Sequence, residues 1–179
     1  MNQPDSVLGD VRELSSDQIR TELIKRSRLL LGKPYDRMAA PSSSPHSFSC
    51  SSFVKVLYST IGIWLPRYSV DQSYMGREID LSAEELLPGD LLFFRNRFPI
   101  HDPDRSIGHV AIASKPGYMI HGSSPQSEIF EELIPDSLIN AKRLVPNGTS
   151  LILDLKATPI NFQTALDLVR FCQRVPLST

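Results

Sequence analysis

The stretch HVAIASKPGYMIHG, residues 109–122, reads as two short apolar strands joined by a Lys115-Pro116-Gly117 turn, a β-hairpin. Working outward, LLFF (91–94) follows the turn pair Pro88-Gly89 and reads as a strand apolar on both faces. Beyond the hairpin, EIFEEL (128–133), AKRLV (141–145) and LILDL (151–155) have strand composition. Upstream the period changes from two to 3.6. Ser15 and Gln18 have capping-box spacing, and Ile19, Leu23, Ile24, Leu30 and Leu31 follow on one helical face, with Gly32 as the stop. Phe53, Val54, Leu57, Tyr58 and Ile61 trace a second helix ending at Gly62. Helices first, then a run of strands, predicts an α+β fold with N-terminal helices packed on an antiparallel sheet. NFQTALDLVRFCQRV (161–175) has the pattern of a closing helix.

With 179 residues, 41% hydrophobic and 22% charged, the chain can bury one substantial core but not two. Residues 1–14 are polar and aperiodic and are expected to form a loose arm ahead of a single domain, 15–179. Residues 33–48 hold three prolines and a serine run and read as a long loop. A net charge of −1 offers no electrostatic reason for a nucleic-acid partner. No segment approaches the ~20 apolar residues that span a bilayer, so no membrane partner is expected. MNQPDSVLGDVRELSSDQ has neither a basic n-region nor an apolar h-region, so the expectation is a cytosolic chain or one exported by an unannounced route.

Cys50 falls at the start of the second helix, where unpaired N–H groups and the helix dipole favour an anion and should lower a thiol's pKa. A thiolate nucleophile also needs a proton acceptor, and that base needs an orienting partner on its other ring nitrogen. His109 opens one strand of the hairpin, and His121 lies on the other, where it can face the same side. On residue pattern alone other readings stand beside this one. Cys50 is also consistent with buried packing, with a disulfide to Cys172, or with a zinc site shared with His101, His109 and His121. His46 and His101 read as solvated loop residues, Asp90 as a turn former, and Trp64 and Arg67 as cleft floor or packing.

Four segments, in order, resemble the NlpC family of cell-wall cysteine peptidases, a papain-like group. They are LGKPY (31–35), FSCSSFVKVLYSTIGIWLPRYSVDQ (48–72), ELLPGDLLFF (85–94) and IGHVAIASKPGYMIHGSS (107–124). The resemblance covers about residues 20–145 and leaves 146–179 as a C-terminal extension. It implies Cys50 as nucleophile, His109 as general base and His121 as the residue orienting it. It also places Tyr35, Ser49 and Ser51 at substrate-binding positions, with no metal and no cofactor. The implied activity is hydrolysis of amide bonds in peptidoglycan stem peptides, at the bond between D-glutamate and the diamino acid, with peptidoglycan or muropeptide as the partner. A related amidase or acyltransferase, or a catalytically silent peptide-binding module, is compatible with the same residues.

Two positions depart from the family's usual Asp-Cys-Ser-Gly: the chain reads Ser49-Cys50-Ser51-Ser52. The family's aspartate commonly holds the free amine of the stem peptide. Ser49 offers no charge-assisted hydrogen bond there, so weaker selection for that amine is expected.

Overall fold

Ser15 and Gln18 open the first helix as a reciprocal pair. The Ser15 hydroxyl accepts the Gln18 N–H at 3.3 Å, and the Gln18 side chain accepts the Ser15 N–H at 2.9 Å. The structure, a computed structural model, describes residues 11–95, 106–148 and 150–154. Helix α1 runs Ser16–Arg28 and buries Ile19, Arg20, Leu23 and Ile24. It stops one turn short of the expected Leu31. Leu29 is 73% exposed, and Gly32, at φ +76°, turns the chain so that its N–H bonds the carbonyl of Ile129 at 2.8 Å. Bonds to the sheet edge prevail there over further helix. Helix α2 spans Cys50–Ser59 and a short α3 spans Ser69–Gln72, with a 3₁₀ turn at Pro41–Ser43 inside the long loop.

The main sheet consists of β2 (Arg77–Glu78), β3 (Leu91–Arg95), β4 (Ile107–Lys115), β5 (Tyr118–Ser123), β6 (Glu128–Leu133) and β7 (Leu138–Arg143). Their spatial order is β2-β7-β3-β4-β5-β6, antiparallel throughout. Leu91, Phe93, Val110, Ile112, Ile120 and Ile129 face the helices, where Phe53, Val54, Leu57 and Tyr58 of α2 meet them. Leu92, Phe94, Ala111, Ala113 and Met119 form a second cluster on the opposite face. Burial on both faces is why LLFF carries no polar alternation.

The expected loose arm is corrected over its last residues. Val11–Ser15 forms β1, paired antiparallel with β8 (Ser150–Asp154) in the register Val11↔Asp154 to Ser15↔Ser150. An arm without periodicity of its own satisfies its backbone groups against a strand from the far end of the chain. Residues 1–10 and the expected closing helix at 161–175, with Cys172, lie outside the described residues.

One buried charge cluster ties the layers together. Asp90 is fully buried, accepts the Leu87 N–H at 2.7 Å as the expected turn former, and also receives Arg143 at 2.8 and 3.0 Å and Arg20 at 3.5 Å. Tyr58 of α2 donates to the adjacent Gly89 carbonyl. The start of β3 is thereby fastened to α1, α2 and β7, which fixes α2 against the sheet.

Candidate active site

Cys50 is the first residue of α2, and Ser49 is its N-cap in extended conformation (φ −88°, ψ 167°). The Ser49 hydroxyl accepts the Ser52 N–H at 3.2 Å, and the Ser52 hydroxyl accepts the Ser49 N–H at 2.8 Å. With the third N–H of the helix capped, those of Cys50 and Ser51 bear on the thiol, joined by the backbone N–H of Val110. That last donor belongs to the residue after His109, so the thiol lies beside the start of β4.

The thiol's acidity runs against the expectation from the helix start. Burial pushes it up, and the N–H groups of Val110, Ser51 and Cys50 and the Arg67 charge only partly offset this. Cys50 is 9% exposed and carries a free thiol. Desolvation of the anion outweighs the dipole, so the sulfur stays protonated until a base accepts its proton.

His109 and His121 come together as the hairpin reading anticipated. Nε2 of His109 lies 2.7 Å from Nδ1 of His121, with ring centroids 4.9 Å apart. Parity along β4 and β5 puts both on the Ala111/Met119 face of the sheet, where Phe94 stands 5.9 Å from His109 and Phe130 4.6 Å from His121, centroid to centroid. The β3–β4 register shifts between Phe94 and Arg95, immediately beside His109, which aims the end of the strand. Burial lowers His121 to about 4, so its ring is neutral in the ordinary pH range.

Tyr35 sits half-buried by the thiol. Burial and then the neighbouring Cys50 push its phenol up, and the Ser124 side chain hydrogen-bonds to it. Its ring packs against Gly122, where any Cβ would overlap Tyr35 and come within 2.8 Å of Ile129. Ser51 is buried, and its hydroxyl accepts from Arg67 at 2.9 Å; Arg67 also donates to the Ala39 carbonyl at 2.8 Å. Ser49 is 2% exposed, with its hydroxyl engaged by Ser52, the Ala39 carbonyl at 3.1 Å and, at 3.4 Å, Arg67. It is an internal cap, with no surface turned to a ligand.

Three contributors escaped the sequence reading. Arg67, for which the sequence allows either packing or cleft floor, grips with its guanidinium both serines flanking Cys50. Gln72, fully buried, donates to the Ser51 carbonyl at 3.0 Å and the Pro66 carbonyl at 2.9 Å, clamping α3 onto the first turn of α2. Glu132 reaches Nε2 of His121 at 2.8 Å. The only sequence signal for it was the strand alternation in EIFEEL, which sets 130 and 132 on one face. His46 is exposed, as expected, whereas His101 and the HDPD segment lie outside the described residues. Among the described residues no group of three or more His, Cys, Asp or Glu side chains is arranged to hold a metal ion.

The chain is 38% identical over 115 residues to a gamma-D-glutamyl-L-lysine dipeptidyl-peptidase of Bacillus cereus, covering 64% of this chain and 31% of that one. It is 35% identical over 99 residues to a probable endopeptidase p60 of Listeria innocua, covering 55% and 19%. The chain thus spans under a third of the length of either relative. A crystal structure of an NlpC/P60 family protein from Bacillus cereus superposes with a TM-score of 0.61 at 29% identity, covering 77% of this chain and 43% of that one. The fold is the papain-like α+β arrangement that the resemblance implied, and the NlpC/P60 family model matches residues 32–143. The chain belongs to the NlpC/P60 family.

Proposed function

We propose that this protein is a cysteine peptidase that hydrolyses amide bonds in peptidoglycan stem peptides, at the γ-D-glutamyl–diamino acid linkage. The observation that carries the reading is the 2.7 Å bond between Nε2 of His109 and Nδ1 of His121, with His109 one residue before Val110, whose N–H bears on the Cys50 thiol at the head of α2. Since His121 engages Nε2, Nδ1 of His109 is the nitrogen assigned to the thiol. His109 takes the proton of Cys50 as Sγ bonds to the carbonyl carbon. The oxyanion that forms is stabilised by the backbone N–H of Cys50, a donor already fixed by the helix. His109 then passes its proton to the leaving amine as the C–N bond breaks. Water, deprotonated by His109, opens the thioester and frees the thiol.

A thiol raised by burial suits this order, in which proton transfer accompanies attack. The substrate assignment draws support from the activity named for the Bacillus cereus relative. Tyr35, half-buried beside the thiol, and Ser51, the residue after it, are assigned to the acyl side of the substrate. With Ser49 enclosed as a cap and Arg67 next to it, position 49 supplies no carboxylate to select a free α-amine.

The test is digestion of purified peptidoglycan and of synthetic stem peptides with free or acetylated α-amines, with products identified by mass spectrometry. Cleavage at the γ-D-glutamyl bond, within about tenfold for the two amine forms, is expected, a charged contact being worth roughly 1.5–3 kcal/mol when present. Wild-type protein that cleaves neither, or a different bond, overturns the reading.

A further inference from the structure

Glu132 stands at the far end of a hydrogen-bonded chain that no residue assignment so far explains. It lies on β6 on the same side as Phe130, two residues beyond the partner of His121 in the β5–β6 register. Its neighbour Glu131 points to the other face, where Ser114 at 2.7 Å, Lys115 at 3.2 Å and Arg28 at 3.7 Å engage it. Glu132 instead meets Nε2 of His121 at 2.8 Å, while Nδ1 of His121 meets Nε2 of His109 at 2.7 Å.

An ionised carboxylate only accepts hydrogen bonds, and a neutral imidazole has one donor and one acceptor nitrogen. The direction of every bond in the chain then follows from its end. Nε2–H of His121 donates to Glu132, so Nδ1 of His121 must accept. Nε2–H of His109 therefore donates to it, and Nδ1 of His109 is left as the basic nitrogen. We propose that Glu132 is a positioning residue that fixes the tautomers of His121 and His109 and so decides which nitrogen of His109 acts as the base. Phe94 and Phe130 pack beside the two rings, at 5.9 and 4.6 Å between centroids, and neither side chain offers a hydrogen bond that could set the same direction. Without the carboxylate the chain can reverse: His121 carries its proton on Nδ1, His109 accepts at Nε2, and the His109 proton moves to Nδ1, the side assigned to the thiol.

The catalytic half of this proposal rests on the cysteine-peptidase reading, and the tautomer half does not. The test therefore pairs turnover of the γ-D-glutamyl peptide with long-range ¹H–¹⁵N NMR of the histidine rings, in wild type and in Glu132→Ala, Glu132→Gln and Glu132→Lys. The Glu132 side chain is 42% exposed, so the variants are expected to fold, which unchanged melting checks. Wild type should show Nε2–H on both rings. Alanine should bring in the Nδ1–H form of His121 and lower kcat by about 10- to 100-fold with KM little changed, below the ~10²–10⁴-fold attached to a base itself. Glutamine, which keeps an acceptor, should recover most of that loss, and lysine, which can only donate, should fall at least as low as alanine.

Wild-type rings in the Nδ1–H form overturn the proposal, as do alanine rings that keep the wild-type tautomers. Tautomers that change with kcat held within about twofold overturn it too. If wild type hydrolyses nothing, the peptidase reading fails while the NMR result still decides the role of Glu132.

Discussion

Ser49 and Ser52 cap each other: each hydroxyl accepts the other's backbone N–H, at 3.2 and 2.8 Å, across the first turn of α2. These are the two positions at which the chain departs from Asp-Cys-Ser-Gly, and the structure makes them one coupled feature. A glycine at 52 has no side chain to return the bond, and an aspartate at 49 accepts but meets no hydroxyl. The coupling is measurable. Ser49→Ala should lower stability by about 1 kcal/mol, and Ser52→Ala by a similar amount. The double variant should lose clearly less than the sum, as read by urea denaturation. Strictly additive losses would show that the two caps act independently.

His121 ties stability to pH. Its ring stays neutral down to about 4 in the fold, against 6.5 for an ordinary imidazole. As pH falls below 6.5 the unfolded chain takes up a proton that the folded chain refuses, so stability drops progressively until about 4 and then levels. The difference corresponds to about 3 kcal/mol at most. Denaturation of wild type and His121→Asn at about pH 7 and about pH 4 isolates it, since asparagine does not titrate. A wild-type loss no larger than that of the variant would show that His121 does not resist protonation.

Gly122 is where the hairpin and the Tyr35 ring touch. Gly122→Ala should lose about 1–3 kcal/mol from overpacking against Tyr35 and Ile129. It should also depress kcat/KM by moving the Tyr35 ring. Adding Tyr35→Ala removes the obstructing ring and should restore part of the stability while leaving activity low. Stability of Gly122→Ala equal to wild type would mean that the Tyr35 ring moves aside freely.

Asp90 carries the link between layers. Asp90→Asn leaves Arg143 and Arg20 buried without their carboxylate and should cost about 3–5 kcal/mol. Turnover per folded molecule should change little, because Asp90 lies outside the site. A loss under about 1 kcal/mol would show that the two guanidiniums find other partners.

What could be read in the sequence was local. The hairpin at 109–122 and the helix from Cys50 follow from periodicity, turn residues and spacing within a few positions. The pairing of His109 with His121 could be anticipated but not fixed, since strand parity shows only once registers are set. For the same reason Glu132 stayed hidden, because EIFEEL alone does not say which of its glutamates meets a histidine. The direction of the Cys50 shift was misread because the helix start is local, whereas the burial that outweighs it is tertiary. β1 escaped because an arm's hydrogen-bond partner, LILDL, lies at the other end of the chain.

The nucleophile assignment is tested most directly by acid-quenching the protein during turnover of a γ-D-glutamyl peptide and mapping the adduct by mass spectrometry. A thioester of the acyl fragment on Cys50 is expected in wild type, longer-lived in His109→Ala if any forms, and absent in Cys50→Ala, which should fold within roughly 1 kcal/mol of wild type and hydrolyse nothing. Turnover by folded Cys50→Ala, or an acyl adduct on any other residue, would contradict it.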